Sequence, residues 1–186
     1  DFCLSRGLGD VYKRQQLAMI GLGRMGANIV RRLMRAGHEC VVYDVNADAV
    51  QALVAEGAVG ADSMADLASK LEAPRAVWMM VPASLTGAVA DQVAEVLDEG
   101  DILIDGGNSN YRDDVRRAKA FRERGIHYVD VGTSGGVFGL DRGYCLMVGG
   151  PDEAVQRIEP VLRTIAPGVG DCLLYTSPSP RDRQKS

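Results

Sequence analysis

Short apolar runs alternate along this chain with segments in which apolar residues recur every three or four positions. Continuous apolar runs are typical of strands buried on both faces of a parallel sheet, and the wider spacing is typical of amphipathic helices. The runs predict strands at 17–20, 40–43, 58–59, 76–81, 102–104, 128–131 and 144–148, and the spacing predicts helices at 24–36, 48–56, 64–71, 84–97, 112–124 and from Pro151 onward. This alternation predicts an α/β fold, a doubly wound parallel sheet with helices on both faces.

The two ends of the chain do not follow this pattern. Asp10 to Gln15 is one translation of a transposon end used in sequencing libraries, and the reverse complement of a back-translation of residues 1–15 encodes Cys172 to Lys185. We therefore expect residues 1–15 and 172–186 to be translated adapter scars, with one natural domain at 16–171 truncated from a longer protein. Composition alone would instead allow the Ser- and Pro-rich end to be a disordered tail.

The first predicted strand ends in a Gly-x-Gly-x-x-Gly turn at residues 21–26. In a dinucleotide-binding motif, Gly21 permits the tight turn, Gly23 lets the backbone approach a pyrophosphate, and Gly26 lets the helix pack on the strand. The free N–H groups at the start of the helix favour an anion, and the helix dipole adds about 0.3–1 kcal/mol. Because strand, turn and helix follow in order, we predict a Rossmann-like fold whose turn, including Leu22 and Met25, binds the cofactor.

Asp44, at the end of the second predicted strand, is the expected partner of the adenine ribose. A carboxylate at this position accepts hydrogen bonds from the ribose hydroxyls and repels a 2′-phosphate. Neither Val45 nor Asn46 supplies a cation that would neutralise such a phosphate. We therefore expect NAD as the cofactor in preference to NADP. Asp44 could instead cap the helix that starts near Asp48, although Asn46 is better placed to do so.

The ends of the fourth and fifth predicted strands complete this edge of the sheet. Val81 and Pro82 follow the fourth strand, and we expect them to line the nicotinamide side of the site. Asn108 follows the fifth strand in the run Asp-Gly-Gly-Asn-Ser at 105–109. Since ligands of open α/β sheets bind outside the carboxyl ends of the strands, its amide is expected to project into the same crevice. A turn or helix cap is equally compatible with this composition.

Three motifs together resemble 6-phosphogluconate dehydrogenase of the decarboxylating type. They are the glycine turn at 21–26, Asp-Gly-Gly-Asn-Ser at 105–109, and Gly-Thr-Ser-Gly-Gly at 132–136. The resemblance covers residues 16–171 and is to the N-terminal, NAD(P)-binding domain of that family, and Asp44 resembles its NAD-preferring branch. A related enzyme of the 3-hydroxyisobutyrate type is the alternative, although such relatives usually lack Gly-Gly-Asn. A non-catalytic dinucleotide-binding module is the alternative from another class.

The resemblance implies that 6-phosphogluconate is oxidised by hydride transfer to NAD or NADP and decarboxylated to ribulose 5-phosphate. It implies that Ser134, Gly135, Gly136 and Asn108 bind the substrate, with Asn108 also contacting the nicotinamide as a positioning group. An ordinary loop between strands is the alternative for residues 134–136. The family's general base and acid, a lysine and a glutamate, come from a helical region beyond residue 171. We therefore expect cofactor binding with negligible turnover, and homo-oligomers of the full-length enzyme through that region.

Composition limits the classes of partner and compartment. The formal net charge of −4 becomes more negative without the two ends, which argues against a nucleic-acid surface. Cys40 and Cys145 lie in apolar runs, where small buried thiols are common, so neither a disulfide nor a metal site is expected. No apolar run is long enough to span a membrane, and we expect a cytoplasmic protein.

Three residues that could be taken for functional ones have an ordinary interpretation. Trp78 is interpreted as a core residue, and His38 and His127 are interpreted as solvated or capping residues.

Overall fold

Seven strands form one sheet in the computed structural model, which describes residues 14–107 and 111–166. The strands are β1 (Gln16–Ile20), β2 (Glu39–Tyr43), β3 (Val59–Gly60), β4 (Ala76–Met79), β5 (Ile102–Asp105), β6 (His127–Ser134) and β7 (Cys145–Gly149). The helices are α1 (Arg24–Arg35), α2 (Ala47–Ala55), α3 (Met64–Ser69), α4 (Ala83–Ala94), α5 (Tyr111–Glu123), α6 (Gly139–Arg142) and α7 (Asp152–Ile165), with a 3₁₀ turn at Gly136–Phe138. Most of the two expected adapter segments lies outside the described residues, so that expectation stays a prediction.

The order of the strands is β3-β2-β1-β4-β5-β6-β7. Every neighbouring pair is parallel except β6 and β7, which are antiparallel. The predicted doubly wound α/β sheet is therefore confirmed, with one reversed edge strand that the sequence pattern did not predict. The chain winds outward from β1 to one edge and from β4 to the other. The carboxyl ends of β1 and β4 thus flank the switch point, where ligands of such sheets bind.

Both faces of the sheet are buried, and β1 shows how the sequence achieves this. Leu17 and Met19 pack into one core cluster, while Ala18 and Ile20 pack into a second cluster. Successive side chains of a strand point to opposite faces, so a strand covered on both sides needs apolar residues at every position. Trp78 lies fully buried in the first cluster, which confirms that it is a core residue.

The strand ends differ from the predicted ones at two places that matter for the site. β4 stops at Met79 rather than at Val81. After Met80, whose N–H donates to the Ile20 carbonyl oxygen at 2.8 Å, the chain turns into α4. β6 continues past Val131 to Ser134 because its last residues pair with the antiparallel β7, where Ser134 lies opposite Cys145. The predicted end of β6 at Val131 is therefore wrong. The apolar pattern ends there, and it does not show that an antiparallel partner strand extends β6 to Ser134.

His38 is interpreted from the sequence as a solvated or capping residue, and its burial shows that the solvated alternative is wrong. Its ring accepts a hydrogen bond at Nδ1 from the Gln15 N–H at 3.2 Å, and its Nε2 lies 3.0 Å from Thr164 Oγ1. Burial lowers the pKa of this imidazole below its ordinary value. His127 is half-buried and lies 3.5 Å from Glu153. The contacts of His38 come from Gln15, just before β1, and from Thr164 on α7, and local sequence does not reveal them.

The two cysteines of the described residues differ in exposure. Cys40 is buried as expected, whereas Cys145 is exposed, so that expectation is wrong for Cys145. The cause is its position on β7, an edge strand whose residues are mostly exposed.

Within residues 14–107 and 111–166, no helix has the length and apolar character needed to cross a bilayer. The same part of the chain contains no group of three or more His, Cys, Asp or Glu residues placed to hold a metal ion.

Candidate functional site

The turn between β1 and α1 has no room for side chains at two of its glycines. Gly21 has a left-handed backbone with a φ of +92°, and an added Cβ would lie 2.5 Å from the Met80 carbonyl oxygen. Its N–H donates to the Tyr43 carbonyl oxygen at 3.0 Å. A Cβ on Gly26 would overlap the carbonyl oxygen of Gly21. The turn is therefore packed tightly between β2, the end of β4 and the first turn of α1.

Gly23 faces open space instead. It precedes α1 with a φ of −59° and a ψ of −180°, and no side chain caps the helix there. An added Cβ at Gly23 would meet nothing within 4 Å. The first turn of α1 contains no acidic residue that would offset the positive end of the helix dipole. These features fit an anion such as a pyrophosphate, which backbone N–H groups could bind without competition from a side chain.

Asp44 ties the glycine turn to the end of β2. Its Oδ2 accepts a hydrogen bond from the Leu22 N–H at 2.6 Å, and its Oδ1 accepts one from the Asn46 N–H at 2.8 Å. The alternative in which Asp44 caps α2 is wrong, because the cap is Asn46, whose side chain accepts from the Asp48 N–H at 3.0 Å. A carboxylate has about four acceptor positions, so Asp44 keeps capacity for further donors such as ribose hydroxyls. The bond to Leu22 carries no local sequence signal.

Val81 and Pro82 form the turn from β4 into α4, directly beside the glycine turn. An added Cβ at Gly21 would lie 3.1 Å from Val81 Cγ1, so the two turns are in contact. Pro82 precedes α4, and no side chain caps this helix. The buried Thr86 hydroxyl donates to the Pro82 carbonyl oxygen at 3.4 Å. The structure thus brings together two of the predicted groups of cofactor-binding residues.

A third turn, at the end of β5, packs against the second one. The Gly106 N–H donates to the Met79 carbonyl oxygen at 2.9 Å, and a Cβ on Gly106 would overlap the Trp78 indole nitrogen. A Cβ on Gly107 would lie 2.9 Å from the Val81 carbonyl oxygen. Asn108, the predicted substrate and nicotinamide contact, lies outside the described residues.

Three of the predicted substrate-binding residues, Ser134, Gly135 and Gly136, lie at the end of β6. Ser134 is the exposed last residue of that strand, so the loop interpretation is wrong for this residue. A Cβ on Gly135 would lie 2.7 Å from Tyr144 Cδ1, whereas one on Gly136, which has a φ of +50°, would meet nothing within 4 Å. Tyr144 is fully buried beneath this segment, and burial raises the pKa of its phenol.

The topology places these segments at the same edge of the sheet, but β6 extends further along the strand direction than β5. β5 and β6 pair in register as far as Asp105 and Asp130, and β6 continues to Ser134. At a rise of about 3.3 Å per residue, Ser134 stands about 13 Å beyond the end of β5. β6 therefore extends past the three turns at the edge of the sheet where the crevice is expected.

Comparisons with known proteins agree with this geometry. A family model described as the NAD binding domain of 6-phosphogluconate dehydrogenase matches residues 16–176. The chain is 46% identical over 154 residues to the NAD(+)-dependent, decarboxylating 6-phosphogluconate dehydrogenase of Haloferax volcanii, covering 82% of this chain and 50% of the relative. It is 42% identical over 159 residues to the decarboxylating 6-phosphogluconate dehydrogenase of Haemophilus influenzae, covering 81% and 32% of the two chains.

Among solved structures, the fold is similar to that of 6-phosphogluconate dehydrogenase from Plasmodium falciparum, described in its apo form and in complexes with NADP+ and with 6-phosphogluconate. The TM-score is 0.78 at 26% sequence identity, and the match covers 84% of this chain and 35% of that one. The chain thus spans half or less of the length of these relatives.

Proposed function

Because this chain belongs to the family of the NAD-binding domain of 6-phosphogluconate dehydrogenase, we propose that it is the cofactor-binding part of an enzyme that oxidises and decarboxylates 6-phosphogluconate. The observation that carries this proposal is the contact of Asp44 with the Leu22 N–H at 2.6 Å. It holds a carboxylate beside the open start of α1, where one dinucleotide can meet both groups. The named relatives of similar sequence, both 6-phosphogluconate dehydrogenases, support the same conclusion.

Each end of the cofactor has residues that fit it. The backbone at 21–26, with open space at Gly23 and no acidic side chain in the first turn of α1, suits the pyrophosphate. The Asp44 carboxylate suits the adenine ribose, and Val81 with Pro82 would line the nicotinamide side. A bound nicotinamide would supply the hydride acceptor for oxidation of the substrate hydroxyl.

We propose NAD as the preferred cofactor. The Asp44 carboxylate would repel a 2′-phosphate, and the following residue, Val45, is exposed and uncharged. The relative from Haloferax volcanii, whose name states NAD(+) dependence, supports this preference.

The substrate would bind between this crevice and a further part of the enzyme. Ser134 can donate and accept hydrogen bonds, and the open backbone at Gly136 can approach a substrate oxygen closely. Asn108 completes the proposed substrate set. Proton transfer to and from the substrate needs a base and an acid, which typically accelerate a reaction about 10²–10⁴-fold. We propose that these groups belong to the part of the enzyme beyond this chain, so that the chain binds cofactor and turns over negligibly.

Isothermal titration with NAD+ and NADP+ tests the cofactor proposal. We expect NAD+ to bind more tightly, and Asp44→Ala to narrow the difference between the two affinities. Tighter binding of NADP+ would overturn the preference for NAD. If neither nucleotide bound, the proposal that the chain binds a dinucleotide cofactor would be overturned.

A titration of the NAD+ complex with 6-phosphogluconate, and another with 3-hydroxyisobutyrate, tests the proposed substrate. Selective binding of 3-hydroxyisobutyrate would favour the related enzyme class instead.

A further inference from the structure

Asp105 is a fully buried carboxylate at the carboxyl end of β5, and the proposed function does not use it. Its Oδ1 accepts a hydrogen bond from the Gly107 N–H at 2.9 Å. Its Oδ2 accepts one from the Tyr128 hydroxyl at 2.8 Å and lies 3.9 Å from Arg117 Nη1. Burying a carboxylate is costly unless it is paired, and an apolar residue would fill this strand position at lower cost. The carboxylate therefore calls for an explanation beyond packing.

The bond from Asp105 fixes the turn at 105–107, and this turn rests on the residues expected beside the nicotinamide. The Gly106 N–H is bonded to the end of β4. Gly107 lies so close to the Val81 carbonyl oxygen that a Cβ would approach it to 2.9 Å, and the buried Thr86 hydroxyl to 3.6 Å. Thr86 in turn donates to the Pro82 carbonyl oxygen. A chain of direct contacts thus leads from Asp105 through Gly107 to Val81 and Pro82.

We propose that Asp105 is a positioning residue for the nicotinamide side of the cofactor site, an inference that rests on the proposed function. Its carboxylate holds Gly107 against Val81, and so fixes the wall on which the nicotinamide end of the dinucleotide lies. Without this acceptor the Gly107 N–H loses its partner within the turn, and the wall is no longer held in one position. The adenine end should change less, because Asp44 is held by the Leu22 and Asn46 N–H groups and the glycine turn at 21–26 touches this chain of contacts at Val81, two contacts away from Asp105.

Titration of the whole chain with two probes tests this inference. NADH reaches both ends of the site, whereas ADP-ribose lacks the nicotinamide ring and reports on the rest of the site, the adenine end included. Asp105→Ala should lower the affinity for NADH about three- to ten-fold, as expected for one lost hydrogen bond, and leave the affinity for ADP-ribose within about two-fold. Asp105→Asn keeps an acceptor oxygen for the Gly107 N–H and should restore most of the NADH affinity.

Two further variants separate positioning from stability. Gly107→Ala leaves the carboxylate intact but pushes the turn away from Val81, so it should show the same selective loss for NADH. Tyr128→Phe removes a partner of Oδ2 and keeps the Gly107 bond, so it should lower the melting temperature while both affinities stay within about two-fold. The Phe variant is the matched control, because it weakens the same cluster without releasing the turn.

The outcomes distinguish the hypotheses. If the unmodified chain binds neither NADH nor ADP-ribose, the proposed function is wrong, and this result is distinct from a failure of the Asp105 inference. Equal losses for NADH and ADP-ribose in a folded Asp105→Ala variant would show a merely structural role and overturn the inference. If that variant does not fold, Gly107→Ala decides, since unchanged NADH affinity there would mean that the turn does not position the nicotinamide.

Discussion

Replacing Gly23 with alanine should separate cofactor binding from folding. The backbone at Gly23 has a φ of −59° and a ψ of −180°, which alanine adopts without strain. The added methyl group would meet no atom of the protein within 4 Å. It would instead occupy the space in front of the first turn of α1, where the pyrophosphate is proposed to bind. The variant should therefore fold normally and bind the dinucleotide poorly.

The two effects differ in size. A Gly→Ala change at a compatible backbone stabilises a protein by about 0.4–1 kcal/mol, and alanine before a helix costs a similar amount relative to glycine. The net change in the free energy of unfolding should therefore lie within about 1 kcal/mol of zero. A hydrogen bond to a charged group contributes about 1.5–3 kcal/mol, so losing one between phosphate and backbone lowers the affinity about ten- to a hundred-fold.

Thermal unfolding and titration with NADH measure the two quantities on the same sample. Gly149→Ala is the matched control, because an added Cβ there also meets nothing within 4 Å and the residue lies on the edge strand β7. It should leave the affinity for NADH unchanged. An affinity for NADH in Gly23→Ala equal to that of the unmodified chain would refute the close approach of the pyrophosphate to this backbone. A large loss of stability would contradict the finding that an added methyl group at Gly23 meets no atom of the protein.

Three further predictions concern other residues. Gly26→Ala places a methyl group on the Gly21 carbonyl oxygen, so it should lower the free energy of unfolding by about 1–3 kcal/mol, and an unchanged melting temperature would contradict the packing described here. Burial raises the pKa of the Cys40 thiol to about 12, so iodoacetamide followed by peptide mass mapping should find Cys145 modified and Cys40 protected; equal modification would contradict this. Burial holds the pKa of His38 below 6.5, so the unfolded chain binds the proton more readily, and stability should be constant above that pH and decline as the pH falls below it. His38→Gln should flatten that decline in melting temperature, and an unchanged slope would show that other groups cause it.

The glycine turn that we propose to bind the cofactor could be predicted from the sequence because its glycines form one short continuous motif. A Cβ on Gly26 would overlap the Gly21 carbonyl oxygen of the same turn, whereas the limit at Gly21 comes from the Met80 carbonyl oxygen after β4. The alternation of apolar runs and helical spacing likewise follows from burial on both faces of the sheet. Even here, the bond from the Leu22 N–H to Asp44 links two separate turns, and only the folded arrangement reveals it.

Residues whose environment depends on distant segments could not be predicted in the same way. His38 is buried and contacts Gln15 and Thr164, although it lies in a polar turn of the sequence. Cys145 is exposed although it lies in an apolar run, because the antiparallel β7 forms the edge of the sheet. Apolar sequence predicts burial only where another element covers the strand, and which strand lies at an edge is decided by topology.

The glycines after Ser134 show why a motif alone does not assign a role. Both Gly135 and Gly136 suit an oxyanion when the sequence is considered by itself, because backbone N–H groups can approach a ligand at either. In the fold, Gly135 is pressed against the buried ring of Tyr144, and Gly139 meets the same ring, so both are glycine because the tyrosine leaves no space. Gly136 differs, since its left-handed backbone faces open space. Of the two, Gly136 is therefore the one that we propose for contact with a ligand, whereas the packing against Tyr144 accounts for glycine at position 135.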